Sequence, residues 1–373
     1  MSINIMVRVR PSLNTNYLNC EGNVLHVSEV KKDILSNDKV IKRQFIFDKV
    51  FDTSVNNLEI YEHFCKNMIE NLIKGNNSIF YVFGQTGTGK THTIFGSDFD
   101  NGLLEIILSY IFSKNIEINL NCIQIYNNKC YDLLNNNVYM NEMESNDEIK
   151  FINLKTIDID KNNYKDVIEL IKKRRTNGKS SKNDTSSRSH IITQINFGQN
   201  YIKILDIAGN ERARSALFLN TINKKENCEI NKNIFALKEC IRSIKNKANH
   251  VPYRRCKLTK LLKDSFQQKV KTYILGTVSC ERSNISDTVN TLNYITDLKK
   301  VKKKLVPLKN GDQLRDKLIN LIDKKFKLDF EFIKEHNTIL ESLKVNKKID
   351  SKKFKYIIND EINVLNDIKK INI

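Results

Sequence analysis

The sequence is poor in residues that interrupt regular structure, because its 373 residues include only 12 Gly and 3 Pro, and it has no Trp. This scarcity excludes collagen-like and proline-rich disordered chains. Residues 1–11 lack the apolar core of a signal peptide, and no window approaches the roughly 18 apolar residues of a membrane span. The eight Cys include no C-x-x-C pair, which indicates reduced thiols in a chain of this length. We therefore expect a cytoplasmic protein without membrane insertion.

Acidic residues are also in short supply relative to basic ones. The chain has 62 Lys and Arg against 43 Asp and Glu, which gives a formal net charge of +19. A surplus of this size predicts a polyanionic partner, because salt-screened attraction to a charged surface needs little geometric precision. Nucleic acid, an anionic membrane surface and an acidic protein polymer all fit, and charge alone does not choose among them.

Strand-like and helix-like segments alternate along most of the chain. Short apolar runs rich in β-branched and aromatic residues predict strands, and helical spacing of apolar residues predicts helices. The predicted strands are 3–9, 78–83, 118–126, 191–197 and 201–206, and the predicted helices are 57–73, 164–174, 231–244 and 286–304. This alternation predicts an α/β fold with a central sheet that helices cover on both faces.

A change in composition marks a predicted domain boundary. Residues 298–309 are strongly basic and are followed by an Asn-Gly turn signal. We place one domain at 1–305, and a basic linker with a helical tail at 306–373. From residue 314 onward the tail has no Gly or Pro, and its apolar residues recur at helical spacing. The pattern predicts one helical hairpin or a few amphipathic helices.

The strongest motif is GQTGTGKT, which fits the G-x-x-x-x-G-K-[ST] phosphate-binding pattern and follows a predicted strand. Its glycines let backbone N–H groups point at phosphate oxygens, and the next helix N-terminus adds partial positive charge. Lys90 would neutralise the β- and γ-phosphates, and the Thr91 hydroxyl would hold Mg²⁺. The alternative is a glycine-rich turn that matches by chance, which the preceding strand disfavours. The predicted phosphate-binding residues are Gly84, Gln85, Thr86, Gly87, Thr88, Gly89, Lys90 and Thr91.

Two further segments supply groups that could respond to the γ-phosphate. The first, DIAGNE at 206–211, follows an apolar strand, where its Asp can reach the Mg²⁺ shell and its Gly can sense the γ-phosphate. The second, NDTSSRSH at 183–190, is a loop rich in hydroxyls that leads into the next strand. Each motif is weak alone, since a serine-rich loop is usually a solvated turn. In this order after a phosphate-binding loop, they form one constellation.

Together these three segments resemble the P-loop, switch I and switch II of the kinesin superfamily. Residues 7–11 (VRVRP) resemble its adenine-flanking R-x-R-P strand, and residues 250–260 (HVPYRRCKLTK) resemble its microtubule-facing H-x-P-Y-R-x-S-K-L-T segment. The resemblance covers residues 1–305 in the family's order. It implies a P-loop NTPase of kinesin type with a central mixed β-sheet and helices on both faces. It further implies ATP and Mg²⁺ as cofactors and a microtubule-stimulated ATPase activity.

The resemblance also assigns roles to individual residues of the nucleotide site. Arg8 and Pro11 would flank the adenine, with His92 stacking nearby. Asn183 and Ser189 belong to the switch I loop around the nucleotide. The residues implied to hold Mg²⁺ are Thr91, Ser187 and, through water, Asp206.

Hydrolysis is implied to depend on closure of the two switches. Gly209 would sense the γ-phosphate, and Arg188 would pair with Glu211 to close the switches around the attacking water. The catalytic set is therefore Ser187, Arg188, Asp206, Gly209 and Glu211. The chain departs from the family at Ala213, where a Gly is usual. Ala replaces Gly without strain only where φ is negative. Slower switching is therefore a more readily expected consequence of this departure than a loss of hydrolysis.

Several residues resemble one branch, the kinesin-thirteen family of internal-motor kinesins that depolymerise microtubules. Residues 229–242 contain a Lys-Glu-Cys triplet that is that family's signature, and residues 31–33 occupy the place of its Lys-Val-Asp finger. Lys32 stands where that family has Val, and an ordinary solvated hairpin is the alternative for this segment. The residues implied to face tubulin are Lys31, Lys32, Asp33, Lys238, Glu239, Cys240, Arg242, Arg254, Lys257 and Lys260.

The predicted function is an ATP-dependent depolymerase that acts at microtubule ends. A directional transport kinesin is one alternative, but it needs a docking neck linker and several sustained heptads, which the short, irregular tail lacks. A microtubule-binding scaffold with weak turnover is another. A nucleic-acid ATPase is disfavoured, because no segment interleaves basic and aromatic residues as a single-strand channel does.

The remaining predictions concern partners and location. Tubulin polymers are the expected partner, with no nucleic acid, and the expected location is the microtubule cytoskeleton, including the spindle. Residues 330–341 faintly resemble a helical region of kinesin-thirteen proteins that is linked to self-association. A helical pair that folds back on the motor is the alternative for the tail.

Overall fold

The computed structural model describes residues 3–12, 17–32, 38–145, 148–176, 188–209, 221–246, 248, 250–263 and 270–299. The chain divides into two units, Met1–Leu305 and Val306–Ile373, and the second lies wholly outside the described residues. The predicted boundary and the helical, self-associating tail therefore stay predictions. No helix in the described part of the chain is long and apolar enough to cross a membrane.

In the described part of the chain, fifteen strands form three sheets. The strands are β1 (Asn4–Val9), β2 (Leu18–Glu21), β3 (Val24–Lys32), β4 (Asp38–Ile46), β5 (Lys49–Phe51), β6 (Asn77–Gly84), β7 (Ile118–Tyr126), β8 (Lys129–Asp132), β9 (Val138–Met140), β10 (Glu142–Ser145), β11 (Glu148–Phe151), β12 (Ile157–Ile159), β13 (His190–Phe197), β14 (Asn200–Asp206) and β15 (Val270–Val278). The main sheet has ten strands in the order β5-β1-β15-β6-β14-β13-β7-β8-β9, with β12 beside β7. Strands β2–β4 form a second sheet, and β10 and β11 form a hairpin.

The helices lie in two layers, one on each face of the main sheet. They are α1 (Asn57–Ile60), α2 (Lys66–Ile73), α3 (Lys90–Phe95), α4 (Leu103–Ser113), α5 (Tyr164–Thr176), α6 (Thr221–Lys245), α7 (Lys257–Leu261) and α8 (Ile285–Lys299). Buried side chains of α1–α5 share one core with the sheet, and those of α6–α8 share the other. The predicted α/β fold with a central mixed sheet is therefore confirmed.

Strand β6 illustrates why these residues form a central strand. Ile79, Tyr81 and Phe83 pack into the core beneath α6–α8, whereas Phe80 and Val82 pack into the core beneath α1–α5. Successive side chains of a strand point to opposite faces, so a strand buried on both faces is a continuous apolar run. That run is what the sequence shows before the glycine-rich motif.

The topology sets the position of the site. Strand β6 runs parallel to β14 on one side and to β15 on the other. Parallel neighbours end at the same edge of a sheet, so the loop after β6 lies beside Asp206 at the end of β14. Lys90 then begins α3 directly after that loop, which turns the N-terminus of α3 toward the same edge.

Candidate functional site

A cleft of about 560 Å³ opens at the carboxyl edge of the main sheet. Two chain segments form it, the end of β1 with the residues after it and the loop between β6 and α3. Its lining residues are Arg8, Arg10, Pro11, Thr86, Gly87, Thr88, Gly89, Lys90, Thr91 and His92. Most of the predicted phosphate-binding and adenine-flanking residues therefore share one cleft.

The loop has a backbone that only its glycines allow at low cost. Gly87 and Gly89 have φ angles of +79° and +94°, in the region that residues with a Cβ avoid. A Cβ at Gly84 would lie 2.3 Å from the carbonyl oxygen of Thr277 on β15, so this strand end needs glycine for a different reason. The sequence thus holds the loop open toward the cleft and close to its neighbouring strand.

Lys90 is buried at the base of the loop. Its Nζ donates to the carbonyl oxygens of Gly84 at 2.9 Å and Gln85 at 2.8 Å. These bonds hold the ammonium beside the loop whose N–H groups are expected to face phosphate. A buried ammonium needs such partners, and a phosphate oxygen would be a stronger one because its bond to the ammonium is charge-assisted.

An ion pair at the end of β14 is the most enclosed charged contact of the site. Arg175 Nη1 donates to Asp206 Oδ2 at 2.5 Å and to Thr91 Oγ1 at 3.2 Å, and the Thr91 hydroxyl donates to the same carboxylate at 2.8 Å. The side chains of Arg175 and Asp206 are 3% and 1% exposed. Sequence reasoning assigned no role to Arg175. The only sequence feature that marks Arg175 is its position shortly before the serine-rich motif at 183–190.

Arg8 lines the cleft with its guanidinium tied down. Its Nη1 donates to Asn57 Oδ1 at 2.6 Å and to Thr93 Oγ1 at 2.7 Å, and burial lowers the pKa of Arg8. Asn57 is fully buried, and its amide donates to the carbonyl oxygen of Asn101 at 3.0 Å. Arg8 therefore joins β1, α1 and α3 at the wall predicted to flank adenine. Sequence reasoning missed Asn57, which no motif marks.

The open side of the same wall carries two further groups. The guanidinium of Arg10 contacts the carbonyl oxygen of Gly87 across the cleft, although only the other Arg of the R-x-R-P motif was predicted. His92 lies 3.7 Å from Asp100. Burial, together with the nearby Arg8 and Arg10, lowers the pKa of His92 despite the opposing effect of Asp100. The imidazole is therefore neutral near pH 7, which suits stacking on a base.

The two switch segments are described in part. Asn183, Ser187, Glu211 and the departure at Ala213 lie outside the described residues, so the predicted Arg188–Glu211 pair stays a prediction. Arg188 is partly buried. Buried Ser189 accepts a hydrogen bond from Gln124 Nε2 at 3.0 Å. Gly209, the last described residue of the second segment, is buried.

His190 links the two switch segments. Its Nδ1 accepts the Ala208 N–H at 3.0 Å, and burial lowers its pKa to about 4. The imidazole is therefore neutral at physiological pH, with its proton on Nε2. Sequence reasoning gave His190 no role, although it closes the serine-rich motif.

A family model of the kinesin motor domain matches residues 8–301. The chain belongs to the kinesin family. Kinesin motor domains are microtubule-stimulated ATPases that bind ATP with Mg²⁺, so the predicted family and enzyme class are confirmed. The match covers the phosphate-binding loop, both switch segments and the end of β1 from Arg8 onward.

Individual relatives agree with this assignment. The chain is 31% identical over 330 residues to Kinesin-like protein KIF24 of Homo sapiens, a match that covers 81% of this chain and 24% of that protein. It is 32% identical over 334 residues to Kinesin-related protein 13 of Dictyostelium discoideum, covering 81% of this chain and 26% of the relative. It is 29% identical over 356 residues to Kinesin-like protein KIP3 of Saccharomyces cerevisiae, covering 86% of this chain and 44% of the relative. The matches thus span less than half the length of these relatives.

A solved structure confirms the fold. The structure of a fast kinesin matches with a TM-score of 0.71 and 24% sequence identity, covering 82% of this chain and 93% of that one. At this identity the likeness bears on architecture alone.

The predicted tubulin-facing residues of this kinesin divide by burial. Lys238 is exposed, with its ammonium 5.4 Å from the centre of the Tyr294 ring, and Glu239 pairs with Arg242 at 3.2 Å along the outer side of α6. Cys240 is fully buried, and burial raises its pKa to about 12. Its side chain packs into the core, so the prediction that Cys240 contacts tubulin directly needs correction.

The segment around α7 carries the other predicted cations. Arg254 is exposed, whereas Lys257 and Lys260 are partly buried, and both pair with Glu142 of β10. Sequence reasoning missed Glu142, because it lies far from both lysines in the chain and no motif marks it.

The predicted finger lies at the end of a hairpin. Lys31 and Lys32 are the last residues of β3, and their backbones pair with Lys39 and Asp38 of β4. Asp33 lies outside the described residues.

Proposed function

We propose that this kinesin is an ATP-driven microtubule depolymerase that acts at filament ends. The observation that carries this proposal is the Lys-Glu-Cys triplet of α6. Lys238 is exposed and Glu239 partly so, while buried Cys240 fixes the helix against the core. Two side chains of this signature therefore lie at the surface proposed to meet tubulin, and the third packs into the core. Strand β3 supports the same assignment, because its last residues, Lys31 and Lys32, occupy the place of the kinesin-thirteen finger.

The described residues fit Mg·ATP. Asp206 Oδ1 is buried and accepts no hydrogen bond from any described residue, although Asp206 Oδ2 is fully engaged. A buried carboxylate oxygen in this state is suited to a metal-bound water. We propose that the hydroxyls of Thr91 and Ser187 hold Mg²⁺ and that Asp206 orients it through water. Bound Mg²⁺ would neutralise charge on the β- and γ-phosphates.

The protein groups around the phosphates would do the rest by position and charge. Lys90 is buried at the base of the loop, where its ammonium can turn from the Gly84 carbonyl to a phosphate oxygen. The turned backbone at Gly87 and Gly89 leaves loop N–H groups for the same oxygens. Pro11 and His92 would enclose the adenine, with Arg8 bracing that wall from behind.

Switch closure would link hydrolysis to the outer face. We propose that Arg188 pairs with Glu211 and that Gly209 senses the γ-phosphate. The Ala208–His190 hydrogen bond supports this link, since it ties the strand after switch I to the start of switch II. Movement of one segment would therefore act on the other, and through it on α6.

Depolymerisation follows if the motor binds curved tubulin more tightly than straight tubulin. A protein shifts a two-state equilibrium only by its differential affinity, so ends would peel where the ATP-bound motor favours the curved state. The net charge of +19 would keep the motor near the acidic polymer between cycles. We also propose a spindle location and self-association through the tail at 306–373.

Filament imaging tests the proposal. Purified protein is added to stabilised microtubules with ATP or a non-hydrolysable analogue, and filament length is followed over time. Shortening of both ends with ATP and no gliding is the expected result. Directional gliding without shortening would overturn it in favour of a transport kinesin. If the protein binds microtubules but causes neither shortening nor gliding, and tubulin does not stimulate its ATPase activity, the result would favour a scaffold.

A further inference from the structure

Glu142 joins two parts of the outer face that are distant in sequence. Its Oε1 accepts from Lys260 Nζ at 2.8 Å and also contacts the Lys257 ammonium. Lys257 and Lys260 belong to α7, whereas Glu142 begins the hairpin of β10 and β11. One carboxylate oxygen therefore holds both α7 lysines that are predicted to face tubulin.

The three side chains are more sheltered than the cations of the α6 ion pairs on this face. Glu142, Lys257 and Lys260 are 16%, 26% and 21% exposed, whereas Lys232 and Arg242 of α6 are 65% and 71% exposed. Burial alone would raise the pKa of Glu142, but the hydrogen bonds and charges of the two lysines outweigh it and lower that pKa. The Glu142 carboxylate is consequently ionised at neutral pH and offsets one of the two lysine charges.

The backbone around the cluster is also anchored. The Lys257 N–H donates to Asn128 Oδ1 at 2.9 Å, which fixes the first turn of α7 to the turn between β7 and β8. The Cys256 side chain and Thr259 cap the same helix reciprocally. The backbones of both lysines are thus held in place. What can change is the carboxylate with which their ammonium groups pair.

We propose that Glu142 sets the microtubule affinity of this kinesin, because it holds Lys257 and Lys260 in an internal pair that carboxylates of tubulin must displace. The inference rests on the proposed tubulin-binding role of the two lysines. Exchange of one carboxylate for another leaves the number of ion pairs unchanged. The lysines therefore contribute less to microtubule affinity than their number suggests. They contribute more to discrimination between binding partners, since only a partner with a well-placed carboxylate can compete with Glu142.

Co-sedimentation with microtubules tests this inference through Glu142→Gln. The neutral amide keeps the size of the side chain but frees both ammonium groups. We expect the microtubule Kd and the KM for microtubules to fall about fivefold at low ionic strength, with a steeper loss of binding as salt is added. Glu142→Asp keeps the charge and should keep the wild-type salt dependence.

Glu105→Gln is the matched control. Glu105 is 18% exposed and pairs with Lys165 at 3.4 Å, so its loss changes net charge equally on the helical layer that covers the opposite face of the sheet. Its microtubule Kd should stay within twofold of the wild type. An equal gain in affinity from Glu105→Gln would overturn the inference, because net charge alone would then explain the effect.

Two further outcomes separate this inference from the proposed function. If the wild type sediments with microtubules but Glu142→Gln binds no tighter, the inference fails and the proposed function stands. If the wild type fails to sediment in any nucleotide state, the proposed function fails and the inference fails with it. A urea-unfolding cycle of Glu142→Gln with Lys260→Gln adds a readout without microtubules, in which zero coupling would overturn the internal pair.

Discussion

The nucleotide cleft and the outer face of α6 and α7 use charge in opposite ways. Next to the cleft, Arg175 and Asp206 are 3% and 1% exposed, and both are hydrogen-bonded to Thr91, which lines it. On the outer face, Glu239 and Arg242 are 25% and 71% exposed and pair with each other across one turn of α6. The first pair is part of the fold, while the second can be exchanged for a pair with another molecule.

This difference follows from desolvation. Removal of one partner from a buried pair leaves a charge without water or counter-charge, which destabilises a protein by about 3–5 kcal/mol. An exposed pair contributes only about 0–1 kcal/mol, because water replaces the lost partner. Substitutions at the nucleotide site should therefore act on stability and turnover, and those of exposed pairs on the outer face mainly on affinity.

Lys90→Ala should have the largest effect on turnover. It removes the ammonium that lies beside the phosphate-binding loop and is 6% exposed. We expect the microtubule-activated kcat to fall about a thousandfold. Steady-state ATPase assays measure it, with Lys66→Ala as control, since Lys66 of α2 pairs with Glu62 of the preceding turn. A tenfold loss or less would indicate that loop N–H groups alone neutralise the phosphates.

Arg175→Met should have the largest effect on stability. It leaves the Asp206 carboxylate buried without its counter-charge, so urea unfolding should show a loss of about 4 kcal/mol. The adjacent Arg174→Met is the control, because Arg174 donates to the Leu133 carbonyl and to the Asn136 side chain rather than to a buried carboxylate. Equal losses for the two variants would contradict the contrast drawn between buried and exposed charges.

Gly84→Ala tests whether the cleft is as tightly built as its charges suggest. The new Cβ would lie 2.3 Å from a backbone oxygen of Thr277, which cannot move without β15, so we expect about 3 kcal/mol of destabilisation. At Gly276 a Cβ would lie 2.6 Å from Ile295 Cδ1, the end of a flexible side chain. Thermal unfolding of Gly276→Ala should therefore show a clearly smaller loss.

The local parts of the cleft could be predicted from the sequence. The predicted strand 118–126 coincides with β7, and the loop follows β6 as expected. Both are encoded by neighbouring residues, an apolar run and a glycine pattern. Contacts between distant segments could not be predicted. The sequence around Arg175 gives no indication that it pairs with Asp206, and the sequence around Glu142 gives none for its two lysines.

Missed elements have equally specific causes. Strand β3 turns Leu25 and Val27 inward, but its next inward residue is Glu29, which is buried because Arg43 of β4 pairs with it at 3.4 Å. That Glu breaks the alternation that would have predicted a strand. Helix α6 begins at Thr221 instead of residue 231, because its polar first turns carry no apolar period. The predicted helix 57–73 contains a π-helical turn at Tyr61–Cys65 that periodicity does not reveal.

His190 extends the comparison to pH. Its pKa is about 4 in the folded chain, below the ordinary value near 6.5, and Asp206, Arg175 and Lys90 are the charged groups around it. The unfolded chain therefore binds more protons below pH 6.5, so this stabilisation is complete above that pH and is lost as pH falls toward 4. Between pH 7.5 and pH 5 the loss should be about 2 kcal/mol.

His190→Asn isolates that contribution. The Asn side-chain oxygen can accept the Ala208 N–H in place of Nδ1, but it does not titrate. Urea unfolding at both pH values should show a smaller pH dependence for the variant than for the wild type. Equal pH dependence in the two proteins would mean that the pKa of His190 is the same in the folded and unfolded chain, so that burial does not lower it.

Arg242→Gln should have the smallest effect and bears most directly on the outer face. Its partner Glu239 is left next to water, so the free energy of unfolding should change by less than about 0.5 kcal/mol. Microtubule affinity should nevertheless fall about twofold, because a cation is lost from the face proposed to contact tubulin. Lys66→Gln removes one positive charge from the helical layer on the opposite face of the sheet and is the control. If it weakens co-sedimentation equally, attraction depends on total charge and α6 is no defined interface. If only Arg242→Gln weakens it, an exchangeable pair contributes to binding without contributing to the fold.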